Sequence, residues 1–247
     1  MITRYANPQR FVRLGRWLAP LLGLGALGLI AAGLWTGLFA SPADVEHGQT
    51  VRIMYVHVPA AWCAMAAYTA IAVSSLVSFV WRHPLADMAA RSLALPGAAF
   101  TVLALATGSL WGKPDWGTYW QWDGRMTSVL VLLFIYIGYM AVWQVVSDRK
   151  RAARLAAILA MVGWINIPII KFSVEWWNSL HQSATVSSPG APGLAPEFLV
   201  PLLLMAAGYT LLLGWLGVRG MLGEIARARA ARRPAPVSTA RIEALGA

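Results

Sequence analysis

Six mostly apolar intervals of this chain contain no lysine, arginine, aspartate or glutamate, and they constrain its fold more than any other feature. A helix crosses the hydrocarbon core of a bilayer with about 20 mostly apolar residues, within a range of roughly 17–25. Five intervals reach that length, and the fifth in order reaches it when Lys171 lies at the interface with its ammonium group extended to water. The pattern predicts an all-α membrane protein, a bundle of six transmembrane helices. The intervals are residues 17–43, 53–81, 92–112, 126–147, 155–170 and 198–218.

The distribution of basic residues predicts the orientation of this bundle. Sixteen of the 20 lysines and arginines fall on one side when the N-terminus is inside, and the exceptions are Arg52, Lys113, Arg125 and Lys171. This bias is the positive-inside rule, so we expect both termini in the cytoplasm and the three longer connections outside. The formal net charge of +10 then follows from topology, with contact with anionic membrane lipid as a secondary role and no binding of nucleic acid.

Composition assigns the remaining segments and excludes several classes of protein. We expect residues 1–223 to form the membrane domain and residues 224–247, which are rich in Ala, Arg and Pro, to form a disordered basic tail in the cytoplasm. The chain lacks a Gly-x-x-x-x-Gly-Lys-Ser/Thr loop, so we expect no ATP hydrolysis. Its single cysteine, Cys63, cannot form an internal disulfide, and there is no Cys-x-x-Cys-His segment for covalent attachment of haem.

The most unusual segment is WGKPDWGTYWQWDGR, residues 111–125, in the second outside connection. Tryptophan commonly lies at the membrane–water interface, and that role would account for any one of these rings. Four in one connection, with charged residues among them, favour a platform for a flat, partly apolar ligand. Asp123 directly precedes the fourth apolar interval, where a helix N-cap is an alternative role. The four tryptophans are Trp111, Trp116, Trp120 and Trp122.

Three of the four histidines, His47, His57 and His181, fall on the same predicted side as the tryptophan-rich segment. His57 lies two residues before Pro59, and this spacing predicts that the second span begins near Pro59, with His57 just above its outer mouth. His181 follows the fifth span in the segment WWNSLHQ. Two imidazoles at one depth with an aromatic shelf between them suit an iron porphyrin, although a single outside histidine is more often a solvated loop residue.

The charged edge of a porphyrin requires cations as well. Arg52 and Arg125 are the only arginines predicted on the outer side, and a guanidinium group binds a carboxylate through two parallel hydrogen bonds. We therefore expect both at the propionates, with pairing to neighbouring acids as the alternative. His47 and His83 are expected to be ordinary loop and turn residues that do not ligate iron.

Three segments in this order resemble a known family. VHVPAAW and WWNSLHQ resemble the histidine segments, and WGKPDWGTYWQWDGRMTS the tryptophan-rich WWD signature, of haem-handling membrane proteins of cytochrome c biogenesis. With six spans and this length, the chain resembles the family of cytochrome c maturation protein C (CcmC) from about residue 50 to about residue 185. The resemblance implies that His57 and His181 are axial ligands of haem b iron. It also implies that the ring and its edge are held by Trp111, Trp116, Trp120, Trp122 and Asp123.

The resemblance implies a function as well. The chain would bind haem non-covalently at the periplasmic face of the bacterial inner membrane and deliver it to a haem chaperone, CcmE. It would be a non-catalytic subunit of an ABC-type complex with an ATPase (CcmA), a permease-like subunit (CcmB) and a small one-span subunit (CcmD). The main alternative is a transporter subunit that stacks a non-haem substrate on the tryptophans. A diheme electron carrier is disfavoured because no histidine falls at mid-depth of a predicted span.

Overall fold

A computed structural model describes residues 7–177, 179–181 and 193–231. In this part of the chain the secondary structure is helical apart from one isolated bridge between Asp44 and Gly48. Six helical segments are long and apolar enough to cross a membrane, so the six-span prediction is confirmed. The helices are α1 Pro8–Trp35, α2 Met54–Trp81, α3 Pro84–Trp116, α4 Gly124–Val145, α5 Arg149–Gly163, α6 Asn166–Trp176 and α7 Pro196–Ala230.

The fifth span consists of two helices, α5 and α6, which together cover Arg149–Trp176. Trp164 and Ile165 form the turn between them, and Pro168 in the first turn of α6 has no N–H group to donate. Asn166 is buried at this break and donates its side-chain N–H to the Ser128 carbonyl of α4 at 2.8 Å. The interrupted span is therefore tied to its neighbour by a hydrogen bond at the point where it is irregular.

Helices α2, α3 and α7 contact one another at the centre of the bundle, and α1 packs along α7. Glycine permits close approach at several contacts. A Cβ at Gly208 of α7 would lie 3.0 Å from the backbone nitrogen of Ile30 in α1. A Cβ at Gly97 of α3 would overlap Tyr136 of α4, whose buried hydroxyl donates to the Ala64 carbonyl of α2 at 2.8 Å. Small residues and interhelical hydrogen bonds are the usual means of packing helices in a membrane.

A buried ion pair joins three helices at the end of the bundle where α3 begins and α7 ends. Glu224 of α7 accepts from Arg91 of α3 at 2.7 Å and also pairs with Arg227. The Arg91 guanidinium lies 4.6 Å from the ring centroid of Trp143 in α4.

The predicted boundary between residues 223 and 224 falls inside α7, which continues to Ala230. Residues 232–247 of the predicted tail lie outside the described residues.

Successive spans alternate in direction, so the start of α2, the end of α3, the start of α4 and the end of α6 meet at one end, the site end. Helix α2 begins at Met54, directly after a 3-10 turn over Gln49–Ile53. His57 therefore lies inside the first turn of α2, and the prediction that it lies above a helix starting near Pro59 is wrong. Pro59 is tolerated because only the backbone bond to the carbonyl four residues earlier is lost.

The tryptophan-rich segment also differs from the expected loop. Helix α3 continues through Pro114 to Trp116 and ends at Gly117, which adopts the left-handed conformation with a φ of 73°. Trp111 and Trp116 therefore lie on the last turns of a helix, and only the residues from Gly117 to Asp123 form the connection to α4. A helix end places these two rings at fixed angular positions, which a flexible loop would not do.

Candidate functional site

His57 lies on the face of α2 that packs against α3. Its Nδ1 is 3.0 Å from the Ala104 carbonyl oxygen and 3.1 Å from the Thr107 hydroxyl oxygen. Because a carbonyl oxygen only accepts, Nδ1 carries the proton and Nε2 keeps its lone pair. A Cβ at Gly108 would lie 2.9 Å from His57 Cε1, so this glycine lets the imidazole lie against α3. A histidine oriented in this way can ligate a metal through Nε2.

A carboxylate holds the second histidine. Asp123 caps α4 by accepting from the Met126 N–H at 2.7 Å through Oδ1. Its Oδ2 accepts from the Ser179 hydroxyl at 2.7 Å and from His181 Nδ1 at 2.5 Å. The N-cap alternative for Asp123 is therefore observed, and the same side chain also orients His181. Such carboxylate–imidazole pairs are typical of metal-ligating histidines, because they fix the ring and direct Nε2 outward.

Burial and hydrogen bonding set the charges of this pair. Burial raises the pKa of the Asp123 carboxyl, but hydrogen bonds from Ser179 and the Met126 N–H, together with His181, outweigh it and hold the pKa below its usual value. Burial lowers the pKa of His181; Asp123 opposes this effect and Arg125 adds to it, and the net pKa is below the usual value. Near neutral pH, His181 is thus a neutral imidazole beside a carboxylate, the form that binds iron.

Two of the four candidate tryptophans contact the histidines directly. The Trp111 ring centroid lies 5.9 Å from that of His57 with the planes at 84°, and the Trp116 centroid lies 4.8 Å from that of His181 at 66°. Trp116 also packs on Gly112, where a Cβ would lie 2.7 Å from the indole. The end of α3 therefore touches both candidate ligands through edge-on aromatic contacts.

The other two tryptophans, Trp120 and Trp122, lie in the connection to α4. Their centroids are 5.3 Å apart with the planes at 76°. Trp122 is 76% exposed, whereas the Trp120 Nε1 is buried. Trp120 is therefore packed into the site end of the bundle, whereas Trp122 lies on its surface.

The two candidate arginines occupy different places. Arg125, in the first turn of α4, lies within electrostatic range of both His57 and His181 and close to Asp123. Arg52 donates Nη2 to the Ser41 carbonyl at 3.3 Å, next to the end of the first span. Arg125 therefore lies near both histidines. The described hydrogen bond of Arg52 is made instead with Ser41, beside the end of the first span.

The remaining histidines also differ from each other. His83 precedes α3 at the opposite end of the bundle, as expected for a turn residue. His47 is more than a solvated loop residue, because its Nδ1 pairs with Asp115 Oδ2 at 3.1 Å and its ring centroid lies 5.7 Å from that of Trp111. Trp111 is therefore in contact with two imidazoles, those of His47 and His57.

Sequence reasoning missed four contributors to this site: the Ala104 carbonyl, Thr107, Gly108 and Ser179. The first three lie in an apolar helix, where Thr and Gly also serve ordinary packing, and no local pattern distinguishes them. Ser179 accepts from the His181 backbone N–H at 3.2 Å and donates to Asp123. Its position two residues before a candidate ligand is the one signal that could have identified it.

In the described part of the chain, buried donors without acceptors at the site end would suit an anionic ligand. Three buried N–H groups at the site end have no acceptor among the described residues: Arg52 Nε, Trp111 Nε1 and Trp120 Nε1. A buried donor without an acceptor costs about 1–3 kcal/mol, so a ligand with carboxylate oxygens would stabilise the site. Within the described residues, no three His, Cys, Asp or Glu side chains form a set of metal ligands.

These features define a multi-pass membrane protein with a candidate site for an iron porphyrin at one end of the bundle. The family model for heme exporter protein C (CcmC) matches residues 1–235. Heme exporter protein C of Bradyrhizobium diazoefficiens is 53% identical over 224 residues, which cover 91% of this chain and 85% of that protein. The Escherichia coli K12 protein of the same name is 46% identical over 180 residues, 73% of this chain and 74% of its own length. The chain belongs to the heme exporter protein C family, so the resemblance seen in the sequence is confirmed.

Proposed function

We propose that this protein binds haem b non-covalently between His57 and His181 at the periplasmic face of the inner membrane, and delivers it to the haem chaperone CcmE for cytochrome c maturation. One observation carries the proposal: two imidazoles at the same end of the bundle each have Nδ1 held by an acceptor. The acceptor is the Ala104 carbonyl for His57 and the Asp123 carboxylate for His181. Both Nε2 atoms thus remain for the two axial positions of a haem iron.

The ring and its charged edge have partners in the same region. Trp111 and Trp116 present indole surfaces beside the two histidines, and an aromatic surface matches the flat apolar macrocycle. Arg125 is the cation within electrostatic range of both histidines, so it is the better candidate for a propionate. The buried N–H groups of Trp111 and Trp120 add donors that carboxylate oxygens would satisfy.

The chain's own part in delivery is to hold and release haem, and it supplies no catalytic nucleophile. Its sequence lacks a phosphate-binding loop, so the energy for release comes from an associated ATPase in an ABC-type complex with CcmA, CcmB and CcmD. The exposed Trp122 beside Trp120 offers aromatic surface to an incoming chaperone. The excess of basic residues on the opposite side supports a periplasmic location for the site.

A transporter subunit for a non-haem substrate agrees less well with these contacts. Stacking alone requires exposed aromatic rings and gives no role to imidazoles whose Nδ1 atoms are fixed by buried acceptors. Family membership also supports haem, because the related proteins are named heme exporter protein C. We therefore retain haem binding as the proposed function.

Transfer from the purified, haem-loaded protein to apo-CcmE tests the proposal. We expect haem to move to the chaperone when the rest of the complex and ATP are present, and we expect His57→Ala and His181→Ala proteins to deliver little because they hold little. His83→Ala is the matched control, since His83 lies at the other end of the bundle. Equal delivery by the three variants and the parent would contradict the proposed function.

A further inference from the structure

A rigid turn carries His47 to the end of α3. Asp44 and Gly48 exchange two backbone hydrogen bonds of 3.0 and 2.9 Å, and Gly48 has a φ of 55° that favours glycine. The Asp44 carboxylate also accepts from the backbone N–H groups of Glu46 and His47, each at 2.9 Å. These bonds fix the backbone at His47, so its side chain is presented in one direction.

His47 bridges this turn to α3. Its Nδ1 lies 3.1 Å from Asp115 Oδ2 and 3.3 Å from Asp115 Oδ1. The two residues are 68 positions apart in the chain, so the pair fixes the first outside connection to the last turn of α3. Asp115 lies at the surface, but the two side chains are only 18% and 26% exposed. This partial shielding from water makes a charge-assisted contact stronger than one in open water.

His47 packs against Trp111 from the outer side. Trp111 lies one helical turn before Asp115, and its ring centroid is 5.7 Å from His47 and 5.9 Å from His57, edge-on to both. Its indole N–H has no acceptor among the described residues. Packing therefore determines where this indole lies, and His47 forms one of the packing walls.

These contacts follow one stripe of α3. Ala104, Thr107, Trp111 and Asp115 are spaced three or four residues apart, so they share one helix face. On this face, Ala104 and Thr107 bind His57 Nδ1. Asp115, at the outer end of the helix, binds His47 Nδ1. Trp111 separates the two imidazoles, so a shift of the outer one is transmitted directly to the ring beside the candidate iron ligand.

We propose that His47 and Asp115 are positioning residues that clamp Trp111 against His57 and slow the release of haem. This proposal rests on the proposed function. The clamp does not ligate iron, so its loss changes how long haem is retained and leaves the coordination unchanged. Opening of the pair is then one of the steps by which haem leaves the site.

The test measures the rate at which the purified protein loses haem to excess apomyoglobin. We expect His47→Ala and Asp115→Ala to release haem about tenfold faster, the effect of losing one hydrogen bond to a charged group. Their low-spin absorption spectra should equal that of the parent. Asp115→Asn should restore much of the slow rate, because its amide oxygen still accepts from His47. The double variant should be no faster than either single variant, since both remove one interaction.

Glu46→Ala is the matched control. It removes one negative charge from the same turn, and among the described residues Glu46 contributes only its backbone N–H to hydrogen bonds. Parent release rates in both single variants, with haem still dependent on His57, would overturn the clamp alone. A change to high-spin haem in His47→Ala would also overturn it, because His47 would then be a ligand. A parent protein that retains no haem would overturn the proposed function and the clamp together.

Discussion

At the scale of single residues, Asp123 performs two tasks with its two oxygens. Oδ1 caps α4 and Oδ2 holds His181. The cap is local, so the sequence offered it as an alternative role from the position of Asp123 before an apolar interval. The contact with His181 joins residues 58 positions apart, and no local pattern encodes it. The sequence could propose His57 and His181 as ligands, which remains a prediction, whereas the contacts that orient their rings could not be predicted from it.

Asp123→Asn separates these two tasks. Asparagine caps a helix about as well as aspartate, so we expect the melting temperature of the protein to change little. If the amide oxygen keeps the cap, the amide nitrogen takes the place of Oδ2 and cannot accept from Ser179 or His181. The tautomer of His181 that leaves Nε2 unprotonated then loses its hydrogen-bond acceptor. Loss of such a partner lowers metal affinity about 10–100-fold. Haem content measured at equal protein concentration should fall accordingly, and a parent-like haem content would show that Asp123 serves only as a cap.

Arg125 and Arg52 were equivalent in the sequence and are distinguished by the structure. We expect Arg125→Glu to reduce haem retention by about one to two decades, because a charge-assisted hydrogen bond of roughly 1.5–3 kcal/mol is lost and repulsion is added. Arg125→Ala should be milder, and Arg125→Lys should retain part of the affinity. Haem titration of the three variants checks the order, with Arg52→Ala as the comparison. Unchanged retention in Arg125→Glu would exclude a propionate role.

At the scale of elements, the end of α3 organises the site. The sequence placed residues 111–125 in the connection between two apolar intervals. In the structure, Pro114 lies near the end of α3, where a proline removes only one backbone bond, and Gly117 terminates the helix in the left-handed conformation. The extra turn carries Trp116 to His181 and Asp115 to His47. Helix boundaries depend on one or two residues of this kind, which is why the sequence located the aromatic cluster but not its geometry.

Gly108→Ala tests the contact between α3 and α2. The added methyl would lie 2.9 Å from His57 Cε1, so the imidazole must move and its hydrogen bond to Ala104 must weaken. We expect the low-spin haem signal to fall. Gly28→Ala in α1 is the control, because a Cβ there meets nothing within 4 Å and alanine favours the helix by about 1 kcal/mol. Equal haem spectra in both variants would contradict the proposed packing of the His57 ring against Gly108 of α3.

At the scale of the whole molecule, the six spans were predictable because the length and apolarity of a segment decide whether it crosses a bilayer. The break at Trp164–Ile165 was not predicted, because the interval 155–170 runs across it without a charged residue. The hydrogen bond from Asn166 to α4 at this break joins residues 38 positions apart, so no local pattern indicates it. The pairing of α1 with α7 was equally hidden, because small residues such as Gly208 are common on many faces of membrane helices.

The orientation of the bundle is a prediction at this same scale. Periplasm-active reporters fused near residues 48 and 118 should be active, and fusions near residues 87 and 151 should be inactive, because basic residues cluster beside the latter two. The measurement is reporter activity at equal expression. An active fusion near residue 151 would invert the bundle and place the candidate site in the cytoplasm.

The optical spectrum of the purified protein tests the central claim, ligation of haem by His57 and His181. Two imidazoles impose a strong axial field, so we expect a low-spin spectrum in the parent and in His83→Ala. His57→Ala and His181→Ala should each change this spectrum or lose haem, and added imidazole should partly restore it. A parent-like spectrum in both His57→Ala and His181→Ala would contradict ligation by this pair.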